Sequence, residues 1–251
     1  MTVETILAAG RAFWTMLASE ILPPHSPLLW LSVTLGVYTA ADWLYRRTGL
    51  AWLNPVLTSI AVLSAILVVT RTPYDTYFSS TQFIHFLLGP ATVALAVPLY
   101  TRIRKVQQLL GPVMIALLIG SLAAIGSAVG LASVLGASPP TLLSLAPKSV
   151  TTPIAMGVSE QIGGIPSLTA VLVILTGIIG AVGAQYVLDG LRIEESSVRG
   201  FAIGLAAHGL GTAQALLMDE ESGAFAGLGM GLNGILTAII VPILADLLGL
   251  M

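Results

Sequence analysis

Residues 147–166 read PKSVTTPIAMGVSEQIGGIP. A lysine, a cluster of hydroxyls and a glutamate stand here between two long apolar runs. Pro147 stops the apolar segment before it, because proline has no N–H to give a helix interior. Thr152-Pro153 reads as a helix start, a hydroxyl N-cap followed by proline at the first helical position. Residues 142–146 are then expected to form a separate short helix, so the element is discontinuous. The new helix N-terminus presents unpaired N–H groups and about half a positive charge. Lys148, Ser149, Thr151 and Thr152 gather there, a group suited to a small anion, most simply a carboxylate.

The surroundings of this stretch are those of a membrane protein. The 251 residues are 56% hydrophobic and 9% charged, with mean hydropathy +0.95. Soluble domains carry about 25% charge. Apolar runs of ~20 residues recur, the length that crosses ~30 Å of hydrocarbon. They are continuous and not alternating, which argues for helices against a β-barrel. A bacterial-type inner membrane location with several passes is expected. The net charge of −2 suggests no nucleic-acid partner. There is no cysteine, and the three histidines, His25, His85 and His208, form no metal spacing. No phosphate-binding loop, nucleophile elbow or zinc-protease motif occurs. No enzyme, catalytic residue, metal or cofactor is expected.

Along the chain, residues 1–22 carry Glu4, Arg11 and Glu20 and read as an amphipathic or extra helix. Spans follow at 28–45 and 51–70. The run 73–99 is interrupted at Gly89-Pro90, and Arg102, Arg104 and Lys105 come after it. Further apolar segments lie at 108–135, 168–188, 200–218 and 224–248. The chain is thus expected to be an all-α polytopic membrane protein. Weak self-similarity divides it into repeats at 26–135 and 138–250, each with about four apolar segments. SPLLWLSVTL at 26–35 pairs with SPPTLLSLAP at 138–147, GLAWLNPVLTSIAVL at 49–63 with GGIPSLTAVLVIL at 163–175, and HFLLGPATVALAVPL at 85–99 with HGLGTAQALLM at 208–218. Transporters built from repeats bind substrate near the midplane, where Gly- or Pro-interrupted or re-entrant helices meet. An inverted repeat needs an odd number of crossings per unit, so one segment would turn back. Arg46 and Arg47 mark a cytoplasmic loop. Arg102, Arg104 and Lys105 join them only if every segment of the first unit crosses, and both arrangements stay open.

The second half of a binding site is expected at AHGLGTAQA, 207–215. Gly209 and Gly211 would break the helix, Thr212 and Gln214 offer hydrogen bonds, and His208 can carry a proton. Thr92 is the matching first-repeat residue. Each residue also has a plainer reading. Lys148 could snorkel from a loop, and Thr151 and Thr152 could only cap. Glu160 is a proton carrier if buried, but lies at the interface if its helix is short. Asn233, inside the last span, needs a hydrogen-bond partner wherever it points. Gly126 and Gly130, Gly200 and Gly204, and Gly227 and Gly231 have the spacing of helix-packing faces.

The run LAPKSVTTPIAMGVSEQIGGIPSLTAVLVILTGIIGA, with FLLGPATVALAVPLY and AAHGLGTAQAL, resembles the LrgB/CidB family over roughly residues 28–248. Bacterial members are described as antiholin-like proteins that control murein hydrolase activity and lysis with a small LrgA/CidA-type membrane partner. The plant relative, which fuses an LrgA-like half to an LrgB-like half, is a plastid glycolate/glycerate transporter. The resemblance therefore implies either a carrier or a regulator. Two positions depart from the family pattern: Gln214 stands where many relatives have a basic residue, and Gly157 where many have a larger one.

The residues themselves favour a proton-coupled, alternating-access carrier of small monocarboxylates. Lys148 and residues 149–152 would hold the carboxylate. Thr212, with His208 or Gln214, would hold the hydroxyl end, and Gly211, Thr92 and Asn233 would line the site. Glu160 or His208 would take the proton. A homodimer is expected from the small-residue faces. The alternative is an antiholin-like regulator acting with an LrgA/CidA-type partner.

Overall fold

The structure, a computed structural model, describes residues 26–50, 53–94, 96–247 and 249. The helix expected over 1–22 lies outside them. All regular structure among the described residues is helical, and the chain forms two compact units, Met1–Thr92 and Val93–Met251.

In the first unit, α1 (Pro27–Thr48) and α2 (Pro55–Thr70) pack together. Gly49 ends α1 with φ 65°, the left-handed conformation that closes a helix without a Cβ clash. Asn54 opens α2: its Oδ1 accepts from the amides of Val56 (2.9 Å) and Leu57 (3.2 Å). The chain then bends by 120° into α3 (Tyr74–Ser80). There Tyr77 meets Trp30 edge to face at 5.5 Å. Next comes α4 (Gln82–Ala94), which contains Pro90. The interruption expected at Gly89-Pro90 is not a break, since apolar helices tolerate proline where neighbouring groups re-satisfy the freed carbonyl.

The second unit begins with two short helices, α5 (Ala96–Thr101) and α6 (Ile103–Gln108). Three long helices follow, α7 (Leu110–Val134), α10 (Pro166–Gly190) and α12 (Glu220–Leu247). At ~1.5 Å per residue they are roughly 37 to 42 Å long, enough to cross a bilayer. Between them lie two elements that turn back.

The first joins α8 (Pro139–Leu145) to α9 (Thr152–Gln161). Leu143, Ala146, Val158 and Ile162 share one buried cluster. Val150 and Ala155 pack deeper, against Val173 of α10. Rising numbers in one arm meet falling numbers in the other, which is a hairpin with its tip near Val150. Its base is stitched to the start of α10. Ser144 Oγ accepts from the Ile165 amide at 2.7 Å, and Thr169 Oγ1 lies 3.0 Å from the Ser144 carbonyl and 2.7 Å from Ser159 Oγ. Gly164 fits because it has no side chain: a Cβ there would stand 2.4 Å from Ser159 Oγ and 3.0 Å from the Ser144 amide.

The second is α11 (Ser196–Met218), long and apolar enough to cross and read from sequence as a segment over 200–218 interrupted at Gly209 and Gly211. It does not cross. Ala207 (φ −124°, ψ 16°) and His208 (φ 42°, ψ −134°) leave helical geometry, and the chain reverses there. Ser196 Oγ donates to Asp219 Oδ2 at 3.2 Å, whereas a straight helix of this length would hold them ~35 Å apart. Gly200 and Gly204 of the first arm lie against Ser222 and Ala226, and Leu216 of the second arm lies against Gly223. The first arm therefore runs parallel to α12 and the second antiparallel.

The hairpins enter from opposite ends. The α11 base sits at the start of α12, with Phe201 and Phe225 packed on Val113 near the start of α7. The α8–α9 base sits at the other end, with Leu143 packed near Ile125, Val241 and Ala245. Thus α7 with its hairpin and α10 with its hairpin follow one pattern in opposite directions, a span and then a re-entrant hairpin. The opposed pair covers 110–218.

Candidate functional site

The two tips approach each other halfway along α12. Asn233 is the fourteenth residue of that 28-residue helix and is 1% exposed. Its Nδ2 donates to the Ser149 carbonyl in the first hairpin (3.3 Å) and to the Leu205 carbonyl just before the break in the second (3.0 Å). Its Oδ1 accepts from Ser121 Oγ of α7 (2.5 Å) and from Thr237 Oγ1 (3.3 Å). Carbonyls can only accept, so the nitrogen must face them, and the amide orientation follows from the network. The Leu205 carbonyl lies in the last turn before a helix break, where carbonyls lose their usual partner. Asn233 supplies one.

The α8–α9 tip carries the charged group. Lys148 is half-buried, and its Nζ lies 3.4 Å from Ser149 Oγ. Among the described residues it makes no ion pair. The residue in the capping position of α9 is Thr151, with extended backbone (φ −62°, ψ 144°) and no side-chain cap bond. This moves the expected cap from Thr152 by one residue and puts Pro153 second in the helix. Half-buried Thr151 and Thr152 keep their hydroxyls at the helix start.

The α11 tip carries His208. Its ring is buried, and Nε2 lies 3.0 Å from the Val173 carbonyl of α10. Gly177, one turn further on, makes the room: a Cβ there would stand 2.7 Å from the imidazole. Thr212 Oγ1 donates to the His208 carbonyl at 2.8 Å, in the first turn after the break. Gly211 is not the break point. It lets the arms close, since a Cβ would stand 2.6 Å from the Ala207 methyl and 2.9 Å from the Ile203 carbonyl.

Of the residues expected in the site, Lys148, Ser149, Thr151, Thr152, His208, Gly211, Thr212 and Asn233 lie at or beside the two tips. Gln214 is buried in the returning arm, six residues past His208 and ~9 Å along it. Glu160 is exposed in the last turn of α9, ~12 Å along the helix from Thr152. Thr92 belongs to the first unit, and its side chain is outside those described. Ser121, the Val173 carbonyl and Gly177 escape sequence reasoning. A lone serine in an apolar helix signals little, and a backbone carbonyl signals nothing.

A charged clasp closes the α11 base. Lys105 pairs with Glu195 (2.5 Å) and with Glu221, while Arg102 reaches Glu221 at 3.2 Å. Arg199 Nη1 donates to Asp189 (2.7 Å) and to the Ile193 carbonyl (2.9 Å). Hydrogen bonds to Glu195 and Glu221 push the Lys105 pKa up, and the bond from Lys105 holds Glu195 down. Burial raises Asp219, but hydrogen bonds from the Ser222 side chain and amide and from Ser196 outweigh it, and its pKa is lowered.

Apolar spans with re-entrant hairpins define a polytopic helical membrane protein whose irregular backbone is buried inside protein. The chain belongs to the LrgB-like family, which it matches over residues 34–247. It is similar to a Bacillus subtilis protein carrying the name "Uncharacterized protein YwbG", 37% identical over 85% of this chain and 95% of that one. It is also similar to "Holin-like protein CidB" of Staphylococcus aureus, 30% identical over 86% of this chain and 95% of the relative. No solved structure matches. These likenesses and the apolar helices make it a multi-pass plasma-membrane protein.

Proposed function

We propose that this protein is a secondary carrier of small monocarboxylates, of the glycolate, glycerate, lactate or pyruvate kind, coupled to protons. The observation that carries the reading is Lys148, a half-buried cation without an acidic partner among the described residues, at the tip of one re-entrant hairpin facing another. A buried charge is costly unless paired, and a carboxylate ligand would pair it. The free amides at the start of α9 and the hydroxyls of Ser149, Thr151 and Thr152 would add hydrogen bonds. Thr212 already donates to the His208 carbonyl, so its oxygen is left to accept from a substrate hydroxyl. His208 or Glu160 would take the coupling proton, and Gln214 would act behind the contacts at the tips. Nothing in this scheme calls for covalent chemistry, a metal or a cofactor.

Hairpins entering from opposite ends suit alternating access, because each tip can screen the site from one side. A regulatory reading stands beside this one and is favoured by a specific observation, the holin-like name of the Staphylococcus aureus relatives. On that reading the protein would act with an LrgA/CidA-type membrane partner. Uptake of labelled glycolate and glycerate into proteoliposomes, with and without an inward proton gradient, separates the two. Saturable uptake that is lost in Lys148→Ala, in a variant that still purifies folded, is the carrier's result. No uptake of any short organic acid by the folded parent protein would leave the regulator.

A further inference from the structure

We infer that Asn233 is a positioning residue that ties the two hairpin tips together and so keeps both sides of the site closed at once. The inference rests on the carrier reading and adds to it a means of coupling the two gates. The side chain stands among the expected substrate ligands, but its geometry gives it another task. An amide has two N–H donors and two good acceptor sites, and here each meets protein: Ser149 and Leu205 carbonyls on the nitrogen, Ser121 and Thr237 hydroxyls on the oxygen. Nothing remains for a ligand. The two donors go to different hairpins, which enter from opposite ends and share no covalent connection shorter than α10. Ser121 and Thr237 fix the amide plane, so neither donor can swing to follow a departing tip.

When one tip moves away, one bond of the pair is lost and the other is kept. When both move, the nitrogen and both carbonyls are left without partners in a buried place, where each lost partner is expensive. The amide thus makes opening of both gates together costlier than opening either alone, the condition a carrier needs to avoid being a channel.

The chain has no cysteine, so single reporters are clean. Val150→Cys marks the first tip and Thr212→Cys the second, both buried positions. Each is combined with Asn233→Leu, which keeps about the same size and removes both donors to the tips, whereas an aspartate buried here would take up a proton and keep one. A membrane-impermeant maleimide is applied to each face of sealed vesicles in turn. Labelling of both reporters is expected to rise about tenfold or more, the size of effect that unpairing a buried polar group brings. Ser121→Ala leaves both tip bonds in place and is expected to leave labelling within about twofold. A rise at only one reporter, or at neither, in folded Asn233→Leu protein overturns the tie, because a purely structural role would lower yield without opening both gates. If Asn233→Leu does not fold, Asn233→Ser, which can serve one carbonyl at most, takes its place. At least one reporter must then gain labelling, and no gain overturns the inference. If both tips open but the parent transports no organic acid, the tie stands and the carrier reading falls.

Discussion

Gly177 shows how much of this site depends on an atom that is not there. A Cβ at that position would meet the His208 imidazole at 2.7 Å and a Leu210 methyl at 2.6 Å. His208 already holds a backbone conformation (φ 42°, ψ −134°) that non-glycine residues rarely adopt, at a cost of ~1–3 kcal/mol. Its bond to the Val173 carbonyl helps hold it there. Gly177→Ala is expected to push the ring off that carbonyl and destabilise the protein by ~1–3 kcal/mol, read as a lower melting temperature in detergent. An unchanged melting temperature would mean that the ring does not sit against α10. Lys148 is the other decisive residue. Lys148→Ala is expected to abolish binding and uptake without lowering the melting temperature, since it removes a charge with no acidic partner among the described residues.

Among the elements, the α8–α9 hairpin was legible in its place, and α11 was legible as an interrupted segment but not in the place of its reversal. Pro147 and Thr152-Pro153 are breakers whose chemistry can be read from the letters: the short helix ends one residue before the expected 146 but begins at Pro139 and not at 142, and the new start came with the cap off by one residue. The reversal at Ala207–His208 carries no such mark. Alanine is a good helix former, and a histidine with positive φ is uncommon. The glycines that follow drew the expected break to Gly209 and Gly211, yet Gly211 serves the contact between the arms. That contact, like the bonds of Asn233 to two carbonyls, is tertiary and leaves no local trace. Gly200 and Gly204 were legible as a packing face, and they let the first arm lie on α12, where a Cβ would stand 2.1 and 2.0 Å from the Ser222 and Ala226 carbonyls. Gly204→Ala is expected to force the arm off α12 and cost at least ~3 kcal/mol, enough to lose most folded protein on size-exclusion. The clasp at the α11 base has a pH signature. Glu195 and Asp219 have lowered pKa values, so their contribution is present above the ordinary carboxylate range and is lost as pH falls through the lowered values. Lys105 has a raised pKa, so its contribution persists at neutral pH and is lost only as pH rises through the raised value. The melting temperature is therefore expected to stay level across neutral pH and to fall on the acid side, and Asp219→Asn is expected to flatten part of that fall. An acid limb unchanged in the variant would remove Asp219 from the clasp.

For the second unit as a whole, folding back α11 changes the count of crossings and the faces on which loops lie. With α7, α10 and α12 as spans and two hairpins as returns, residues 102–105, 191–195 and 219–221 share one end, as the pairs of Lys105 with Glu195 and Glu221 require. That end holds Arg102, Arg104, Lys105, Arg192 and Arg199, while the connections 135–138 and 162–165 hold no lysine or arginine. The positive-inside rule then assigns the clasp to the cytoplasm. The opposed hairpins are the central claim, and side-resolved labelling of single cysteines tests it most directly. Glu194→Cys and Glu220→Cys flank α11, Ser138→Cys and Ser167→Cys flank the other hairpin, and all four positions are exposed. Impermeant maleimide is expected to reach 194 and 220 from the cytoplasmic side only, and 138 and 167 from the opposite side only. Labelling of 194 and 220 from different sides would make α11 a crossing and contradict the account.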